Sequence, residues 1–361
     1  MEYLLMYKDI KVFRFDIKTG EIELLNEEYI PICIRRQDGK YTFDSVRKFC
    51  SLRVLSMNRV YCKEILASCG VDDQSDVSIS IISRALSFRD NYWIKSLTSQ
   101  ESWDSVNLYA NRFSAQVAQV ALTGVVDTIE LGDELYTGEL CNKGTKPKCY
   151  LHRNQEILLF KEETVDEIRS EIVSAVIASV LGLKSPTRYW YERIYERDCS
   201  VCKILTSENS ELVHYRDIMS YHNEVTMSYK SSSYQFLMSL DAEQFILMQI
   251  MDYITLNIDR NRDNFGVEMC NNEIVGLYPV YDHDSCFKGK GTNGIYFPTG
   301  ITFHKTIQYL KSLQEYDLVK KKVGKAVAFF HTSAFRDIFL KMKSAQVYEL
   351  MLKRLKLLYC V

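Results

Sequence analysis

Apolar and polar positions follow two different periods in the first part of the chain. Alternation over residues 10–15 and 22–25 predicts two β-strands, and Lys18-Thr19-Gly20-Glu21 predicts the turn between them. A spacing of three to four residues predicts helices over residues 46–69, 78–86 and 113–122. Residues 90–94 and 103–107 carry tryptophan and tyrosine and are expected to be aromatic anchors in a long connection.

Beyond residue 138, short apolar runs and turns replace the helical pattern. Residues 157–161 predict a buried strand that ends in Lys161. Thr164 followed by Glu167 is a capping-box pattern, which predicts a helix from that point to Gly182. Two further strands that pair with each other are predicted at residues 188–191 and 202–205.

The remainder of the chain is mostly helical. Residues 206–238 are polar and predict irregular structure, whereas Asp241 with Gln244 predicts the start of a helix that is apolar on every side and therefore buried. Amphipathic helices are predicted from Lys305 onward. These elements predict an α+β fold with three parts: an N-terminal accessory or docking domain (1–128), a sheet-rich small lobe (129–205) and a helical large lobe (206–361).

Composition narrows the class of protein. A chain of 361 residues, 47% of them hydrophobic, can bury more than one core. The net charge of −2 gives no overall basic field, so we expect no direct nucleic-acid binding. Cys199-x2-Cys202 has no second pair to complete a zinc site, so we expect a turn with two thiols. The eleven cysteines without paired spacing predict a reducing, cytoplasmic compartment, and no apolar run is long enough for a membrane span.

The candidate chemistry follows the buried helix. Four residues separate Asp259 from Asn264, and Asp282 comes after a short apolar run. Kinase-type phosphoryl transfer uses this set: one carboxylate that accepts the hydroxyl proton, and an amide with a second carboxylate that bind Mg²⁺. Alternating Asp and Asn over residues 259–263 also suggest a calcium loop, but Asn264 replaces its glycine and Cys270 its glutamate. A polar turn between a helix and a hairpin is the structural alternative.

Two upstream features suit a nucleotide. Residues 142–148 form a polar turn whose backbone amides and lysines can surround phosphate oxygens, although an ordinary hairpin turn is the alternative. Its candidate phosphate-binding residues are Asn142, Gly144, Thr145 and Lys148. A lysine at the end of a buried strand, Lys161, can be held rigidly against the α- and β-phosphates. Glu171, beside the apolar face of the next helix, is its candidate partner, because Glu167 is used by the cap.

Residues 251–267 and 277–282 resemble the catalytic core of HipA-like bacterial serine/threonine kinases, and most closely the branch common in Gram-positive bacteria. The single-glycine loop ending in Pro147-Lys148 is similar to the loop of that family. The resemblance covers most of the chain, although only six or seven catalytic positions are specific. It implies a bilobal protein-kinase-like fold with an extra N-terminal domain, ATP and Mg²⁺ as cofactors, and a protein serine or threonine hydroxyl as acceptor. It also implies a toxin or defence role, an antitoxin or regulatory partner, and self-phosphorylation at Thr145.

Carried over by position, the resemblance makes Asp259 the catalytic base and Asn264 and Asp282 the Mg²⁺ ligands. Lys161 would hold the phosphates, with Glu171 positioning it. The chain departs from protein kinases because Asn257 replaces a histidine. His283-Asp284 replaces Phe-Gly after Asp282, which makes Asp284 a second candidate metal ligand.

Two rival functions remain open at this stage. The first is a nucleotide-binding pseudokinase that acts as an interaction module through residues 1–128. The second is a lipid or small-molecule kinase, since D-R-x3-N also occurs in phosphoinositide kinases. The presence of every catalytic position argues against the first, and the absence of a membrane-seeking segment argues mildly against the second.

Overall fold

A computed structural model describes residues 1–71, 75–112, 114–125, 138–141, 143–288 and 294–359. The chain forms two compact units. The first unit comprises Met1–Glu162, Glu192–Val213 and Met269–Glu273, and the second comprises Glu163–Tyr191, His214–Glu268 and Ile274–Val361.

Both strands and helices occur throughout the described chain. The strands are β1 (Glu2–Tyr7), β2 (Ile10–Asp16), β3 (Ile22–Leu24), β4 (Tyr92–Ser96), β5 (Lys148–Arg153), β6 (Glu156–Glu162), β7 (Tyr189–Ile194), β8 (Arg197–Lys203), β9 (Glu211–His214), β10 (Gly266–Cys270), β11 (Glu273–Leu277), β12 (Ile295–Tyr296) and β13 (Ile301–Thr302). The helices are α1 (Phe43–Ser51), α2 (Cys62–Ser68), α3 (Asp76–Ile82), α4 (Trp103–Val106), α5 (Ala115–Thr123), α6 (Val165–Leu181), α7 (Tyr215–Tyr221), α8 (Ser232–Thr255), α9 (Phe303–Ser312), α10 (Tyr316–Phe330), α11 (Ser333–Met342) and α12 (Ala345–Tyr359).

An antiparallel sheet with the order β3-β2-β1-β4 opens the first unit. It confirms the predicted hairpin of β2 and β3. Strand β1 was not predicted, and residues 90–94, expected to be part of a connection, enter β4 instead. Leu5 of β1 pairs with Phe13 on one side and Ile94 on the other, and all three are buried. The hydrophobic face of this sheet therefore needs β4, which lies far away in the sequence.

The prediction of a single helix over residues 46–69 is wrong. The chain forms α1 and α2 instead, and a segment of turns joins them. This joining segment carries Arg53 and Arg59, and both side chains are almost fully buried. Since a buried guanidinium needs hydrogen-bond partners, the segment leaves the helical path to reach them. The helices predicted at 78–86 and 113–122 are observed as α3 and α5, with shifted ends.

A second sheet of the first unit has the order β5-β6-β8-β7. Its buried residues Cys149, Phe160 and Val201 belong to one hydrophobic core with Leu55 and Ile65 from the N-terminal region. Residues 126–137, where the predicted domain boundary near residue 128 falls, lie outside the described residues. The division into domains at 128 and 205 therefore stays a prediction.

The prediction of a turn around Cys199 and Cys202 is wrong, since both cysteines lie within β8 and are buried. Alternation is weak in this strand because several consecutive positions are buried, including Cys199, Ser200 and Val201. A strand with both faces covered lacks the period of two on which its prediction depends.

In the second unit, the capping box of Thr164 and Glu167 is confirmed, and Gly182 ends α6 in the left-handed conformation. Asp241 interrupts α8 with non-helical backbone angles, and its Oδ1 accepts the Gln244 N–H at 3.3 Å, as the side chain of an N-cap does. The side chains from Gln244 to Thr255 are all buried, as the apolar pattern predicts.

The prediction of irregular structure for residues 206–238 is wrong. They contain β9, α7 and the first part of α8. The buried hydroxyls of Tyr215 and Ser233 are 2.7 Å apart, so polar residues there bond to one another within the fold. The C-terminal helices α9 to α12 confirm the amphipathic pattern. In the part of the chain that the structure describes, no helix is long and apolar enough to cross a membrane.

Candidate functional site

The candidate catalytic loop begins where α8 ends in the second unit. Leu256 adopts the left-handed conformation, which turns the chain out of the helix. Asn257 is fully buried, and its amide donates to Asp252 Oδ1 at 3.2 Å, while its Oδ1 accepts the Asp259 N–H at 3.0 Å. The side chain of Asn257 therefore fixes the start of the loop to the buried helix, at the position where protein kinases have histidine.

The carboxylate of Asp259 lies against two amide side chains. Asn261 Nδ2 donates to its Oδ1 at 3.0 Å, and Asn264 Nδ2 donates to its carbonyl at 2.8 Å and its Oδ2 at 3.3 Å. The spacing of four residues thus brings Asp259 and Asn264 together. Because the amide nitrogen of Asn264 is used in these bonds, its Oδ1 is the atom available to a cation.

Burial raises the pKa of Asp259, and the negative charges of Asp282 and Asp284 raise it further, against a lowering by the Asn261 hydrogen bond. The three carboxylates of Asp259, Asp282 and Asp284 are therefore close enough to interact electrostatically within the second unit. Asp284 is buried, and Ser285 donates to its Oδ1 at 2.8 Å. A raised pKa favours a carboxylate that takes up a proton.

The segment that carries Asp282 is held through its backbone. The Asp282 N–H donates to the Tyr189 hydroxyl at 3.0 Å, and the next N–H, of His283, donates to Glu171 Oε2 at 2.7 Å. Asp282 has a φ of 59°, a conformation that non-glycine residues rarely adopt outside special sites. Glu171 is completely buried, and its bond to the His283 N–H holds the backbone directly after Asp282, the candidate metal ligand.

Arg260 connects three parts of this site. It is fully buried and forms an ion pair with the equally buried Asp252 of α8 at 3.0 Å. Its Nη1 donates to the carbonyl of Asn264 at 2.6 Å and to the carbonyl of Tyr281 at 2.8 Å. One guanidinium therefore joins α8, the catalytic loop and the segment of Asp282.

The candidate phosphate loop lies in the first unit, just before β5. Gly144 has a φ of 104°, and a Cβ at this position would lie 2.7 Å from Lys148 Nζ. The Lys148 ammonium donates to the carbonyl of Lys143. The Glu162 N–H donates to the carbonyl of Pro147 at 2.9 Å, which ties the end of the loop to the end of β6. The loop therefore needs glycine at position 144.

Lys148 and Lys161 are direct partners across the β5–β6 pair. Side chains at opposed positions of an antiparallel pair lie on the same face, so the two lysines are neighbours at the end of the loop. Asn142 lies outside the described residues. Lys161 belongs to the first unit and Glu171 to the second, and their predicted ion pair stays a prediction, as do the catalytic roles of all the candidate residues.

Arg260 and Asp252 were missed by reasoning from the sequence, although one signal was present. Asp252 stands in a helix that is otherwise apolar on all sides, and a carboxylate in such a helix requires a buried cationic partner. Its partner follows eight residues later, directly after the candidate catalytic base. Tyr189 lies in a strand and belongs to no simple sequence pattern that would identify it.

Within the described residues, no group of three or more His, Cys, Asp and Glu side chains is arranged as a metal cage. A site without such a cage still suits Mg²⁺, because proteins usually bind this ion through one or two carboxylates together with phosphate oxygens and waters. Asp282, Asp284 and the Oδ1 of Asn264 supply the hard oxygen donors that such a cation prefers.

No protein-family model and no curated protein sequence matches this chain. Among solved structures, the chain is similar to HipA of Shewanella oneidensis MR-1, a toxin–antitoxin protein solved with HipB and operator DNA. The identity is 14%, the TM-score is 0.62, and the match covers 98% of this chain and 96% of that one. The proinflammatory kinase CtkA of Helicobacter pylori matches 58% of this chain and 88% of its own, at 16% identity and a TM-score of 0.39. The similarity to HipA confirms the predicted α+β kinase-like fold.

Proposed function

We propose that this protein is an ATP- and Mg²⁺-dependent phosphotransferase of the HipA-like kind, with a serine or threonine hydroxyl of a protein as the acceptor. The observation that carries the proposal is the carboxylate and amide group in the second unit. There, Asn264 bonds to Asp259, and the charges of Asp282 and Asp284 help to raise the pKa of Asp259.

In this proposal, Asp259 accepts the proton of the acceptor hydroxyl. The hydroxyl oxygen forms a bond to the γ-phosphorus of ATP, the bond from that phosphorus to the β–γ bridging oxygen breaks, and ADP leaves with the electron pair. The raised pKa supports this role because a general base works best with a pKa close to the working pH. Arg260 and Glu171 hold the loop and the Asp282 segment in place through backbone bonds.

Mg²⁺ would be held by Asp282 and Asn264 Oδ1, with Asp284 as a further oxygen donor, and would neutralise charge on the phosphates. The loop of residues 143–148 with Lys148 and Lys161 is the proposed phosphate-binding element, in agreement with the opposed placement of the two lysines. The proposed assignment to the branch common in Gram-positive bacteria rests on the resemblance of residues 251–267 and 277–282. The proposed cytoplasmic location rests on the eleven cysteines, which lack paired spacing.

The neighbour HipA was solved with HipB, which supports the proposal of an antitoxin or regulatory partner for this chain. The proposed toxin or defence role rests on the same similarity. The first experiment tests the protein acceptor directly, because it detects labelled proteins, lipids and small molecules alike.

The test is incubation of the purified protein with γ-labelled ATP, Mg²⁺ and a bacterial lysate, followed by identification of the labelled molecules. We expect a labelled protein with the wild type. Asp259→Asn should retain its fold and lose transfer by about 10² to 10⁴. Labelled lipid or a labelled small molecule would refute the protein acceptor and favour a lipid or small-molecule kinase. Nucleotide binding without any transfer would favour a pseudokinase, and transfer by Asp259→Asn within threefold of wild type would refute the role of Asp259.

A further inference from the structure

The segment between α1 and α2, residues 52–61, meets the candidate phosphate loop within the first unit. Residues 52–61 lie about 80 positions before the loop in the sequence. They contribute no candidate catalytic residue, and sequence reasoning assigned the whole region to an accessory domain. Their contacts with the loop are hydrogen bonds and a buried ion pair. Because hydrogen bonds depend on orientation, these contacts fix the conformation of the loop as well as its position.

The centre of this contact is the pair of Arg59 and Glu139. The two side chains are almost completely buried and lie 3.2 Å apart. Arg59 Nη2 also donates to the carbonyl of Lys148 at 2.6 Å, and Glu139 Oε1 accepts the Tyr150 N–H at 2.8 Å. The pair therefore joins residues on both sides of the loop, at 139 before it and at 148 and 150 after it.

Other bonds extend the contact along the loop. The Val60 N–H donates to the carbonyl of Thr145 at 3.0 Å, and Lys143 Nζ donates to the carbonyl of Ser51, the last residue of α1, at 2.8 Å. The acceptors in the loop at Thr145 and Lys148 are carbonyl oxygens, so these bonds do not consume the amide N–H groups that a phosphate would need. The contact therefore fixes the shape of the loop through carbonyl oxygens and does not involve the backbone amides of Thr145 and Lys148.

We propose that Arg59 is a positioning residue for the phosphate-binding loop, and that it thereby sets the affinity for nucleotide. This inference rests on the proposed function. It gives the N-terminal region a specific role, because Arg59 is joined to the loop by a buried ion pair that tolerates little displacement, whereas Arg53 of the same segment bonds to residues outside the loop. Arg59 acts through the backbone of Lys148 and touches no substrate.

The test compares two charge-neutral double variants of the full chain. Arg59→Met with Glu139→Gln removes both buried charges, and glutamine keeps the oxygen that accepts the Tyr150 N–H. The matched control is Arg53→Met with Asp90→Asn, which removes another buried pair of the same unit. Arg53 donates to the carbonyls of Ala85 and Tyr92 rather than to the loop.

The first readout is hydrogen exchange of peptides that cover residues 143–150, measured without nucleotide. We expect exchange about tenfold faster in the Arg59 variant, while the control stays within twofold of wild type and β6 is unchanged in both. Equal exchange in the two variants overturns the proposal. If the Arg59 variant is unprotected throughout, Arg59→Lys decides, since it keeps a positive charge beside Glu139 and removes the guanidinium that donates to the carbonyl of Lys148. A rise of a few fold in loop exchange supports the proposal, and no rise overturns it.

The second readout separates positioning from general damage. In the Arg59 variant we expect KM for ATP to rise about tenfold with kcat within threefold of wild type, and no change in the control. An unchanged KM in a variant with a loosened loop overturns the link to nucleotide. If the wild type transfers no phosphate, the proposed function fails, and the exchange experiment still decides whether Arg59 positions the loop.

Discussion

Replacing Arg260 by methionine is the sharpest test of how the second unit is held together. The change removes the guanidinium that pairs with Asp252 at 3.0 Å and donates to the carbonyls of Asn264 and Tyr281. Both side chains of the pair are completely buried. The unbranched methionine side chain would fill much of the same space, so the main effect is an Asp252 carboxylate left without its cation.

Loss of one partner of a buried pair costs about 3–5 kcal/mol of unfolding free energy. Asp252 would keep the Tyr296 hydroxyl at 2.6 Å and the Asn257 amide at 3.2 Å. We therefore expect the lower end of that range, about 3 kcal/mol, or a melting temperature lower by roughly 6–12 °C for a unit of 150–250 residues. Adding Asp252→Asn should recover at least about 2 kcal/mol of the summed single losses, since the double variant buries no charge.

The measurement is urea-dependent hydrogen exchange of the peptide that covers residues 244–255, which belongs to the second unit. Lys184→Met is the control, because the lysine that pairs with Asp241 is 71% exposed. That change should alter stability by less than about 0.5 kcal/mol. A loss below about 1 kcal/mol in Arg260→Met, or strict additivity in the double variant, would refute the reasoning from burial.

Three other predictions concern the metal, the pH dependence and the backbone. ATP with Mg²⁺ at a hundredfold excess over Kd should stabilise the wild type by about 2.7 kcal/mol, and Asp282→Asn should abolish the part of this stabilisation that depends on Mg²⁺. If ATP raises the melting temperature of the wild type equally with Mg²⁺ and with EDTA, the metal role is contradicted. Burial raises the pKa of Glu211 to about 7 even though Tyr7 donates to it, so the first unit should lose stability as pH rises from about 4.5 to 7. Glu211→Gln should abolish that loss in melting curves between pH 4.5 and 8.5, and parallel curves would count against it. Gly144→Ala should destabilise by about 1–3 kcal/mol because of its positive φ, whereas Gly324→Ala, in a helix with open space around it, should stabilise by about 0.5–1 kcal/mol in thermal unfolding.

Local chemistry in the sequence determined several elements directly. The capping box of Thr164 and Glu167 and the N-cap at Asp241 depend on hydrogen bonds between neighbours three residues apart, so a short stretch of sequence contains all their partners. The contact between Asp259 and Asn264 is local in the same sense, because a loop with four intervening residues returns to its own start. The amphipathic C-terminal helices follow from a period that needs no knowledge of what covers them.

Other features depended on residues far apart in the sequence. Residues 46–69 have a helical period, yet the chain breaks between α1 and α2 where Arg59 reaches Glu139, eighty positions later. Strand β1 exists because β2 and β4 lie on either side of it. The polar residues of 206–238 look irregular until Tyr215 and Ser233 are seen to satisfy each other inside the fold.

The candidate site divides along the same line. Its residue types and their spacing in the loop were determined by the sequence, because the four residues between Asp259 and Asn264 let the loop return to its own start. The tertiary structure decided what holds them there: the buried pair of Arg260 and Asp252, and the bonds from the Asp282 segment to Glu171 and Tyr189. Such partners are set by desolvation, because a buried charge or amide must find a partner wherever the fold supplies one, at any distance along the chain.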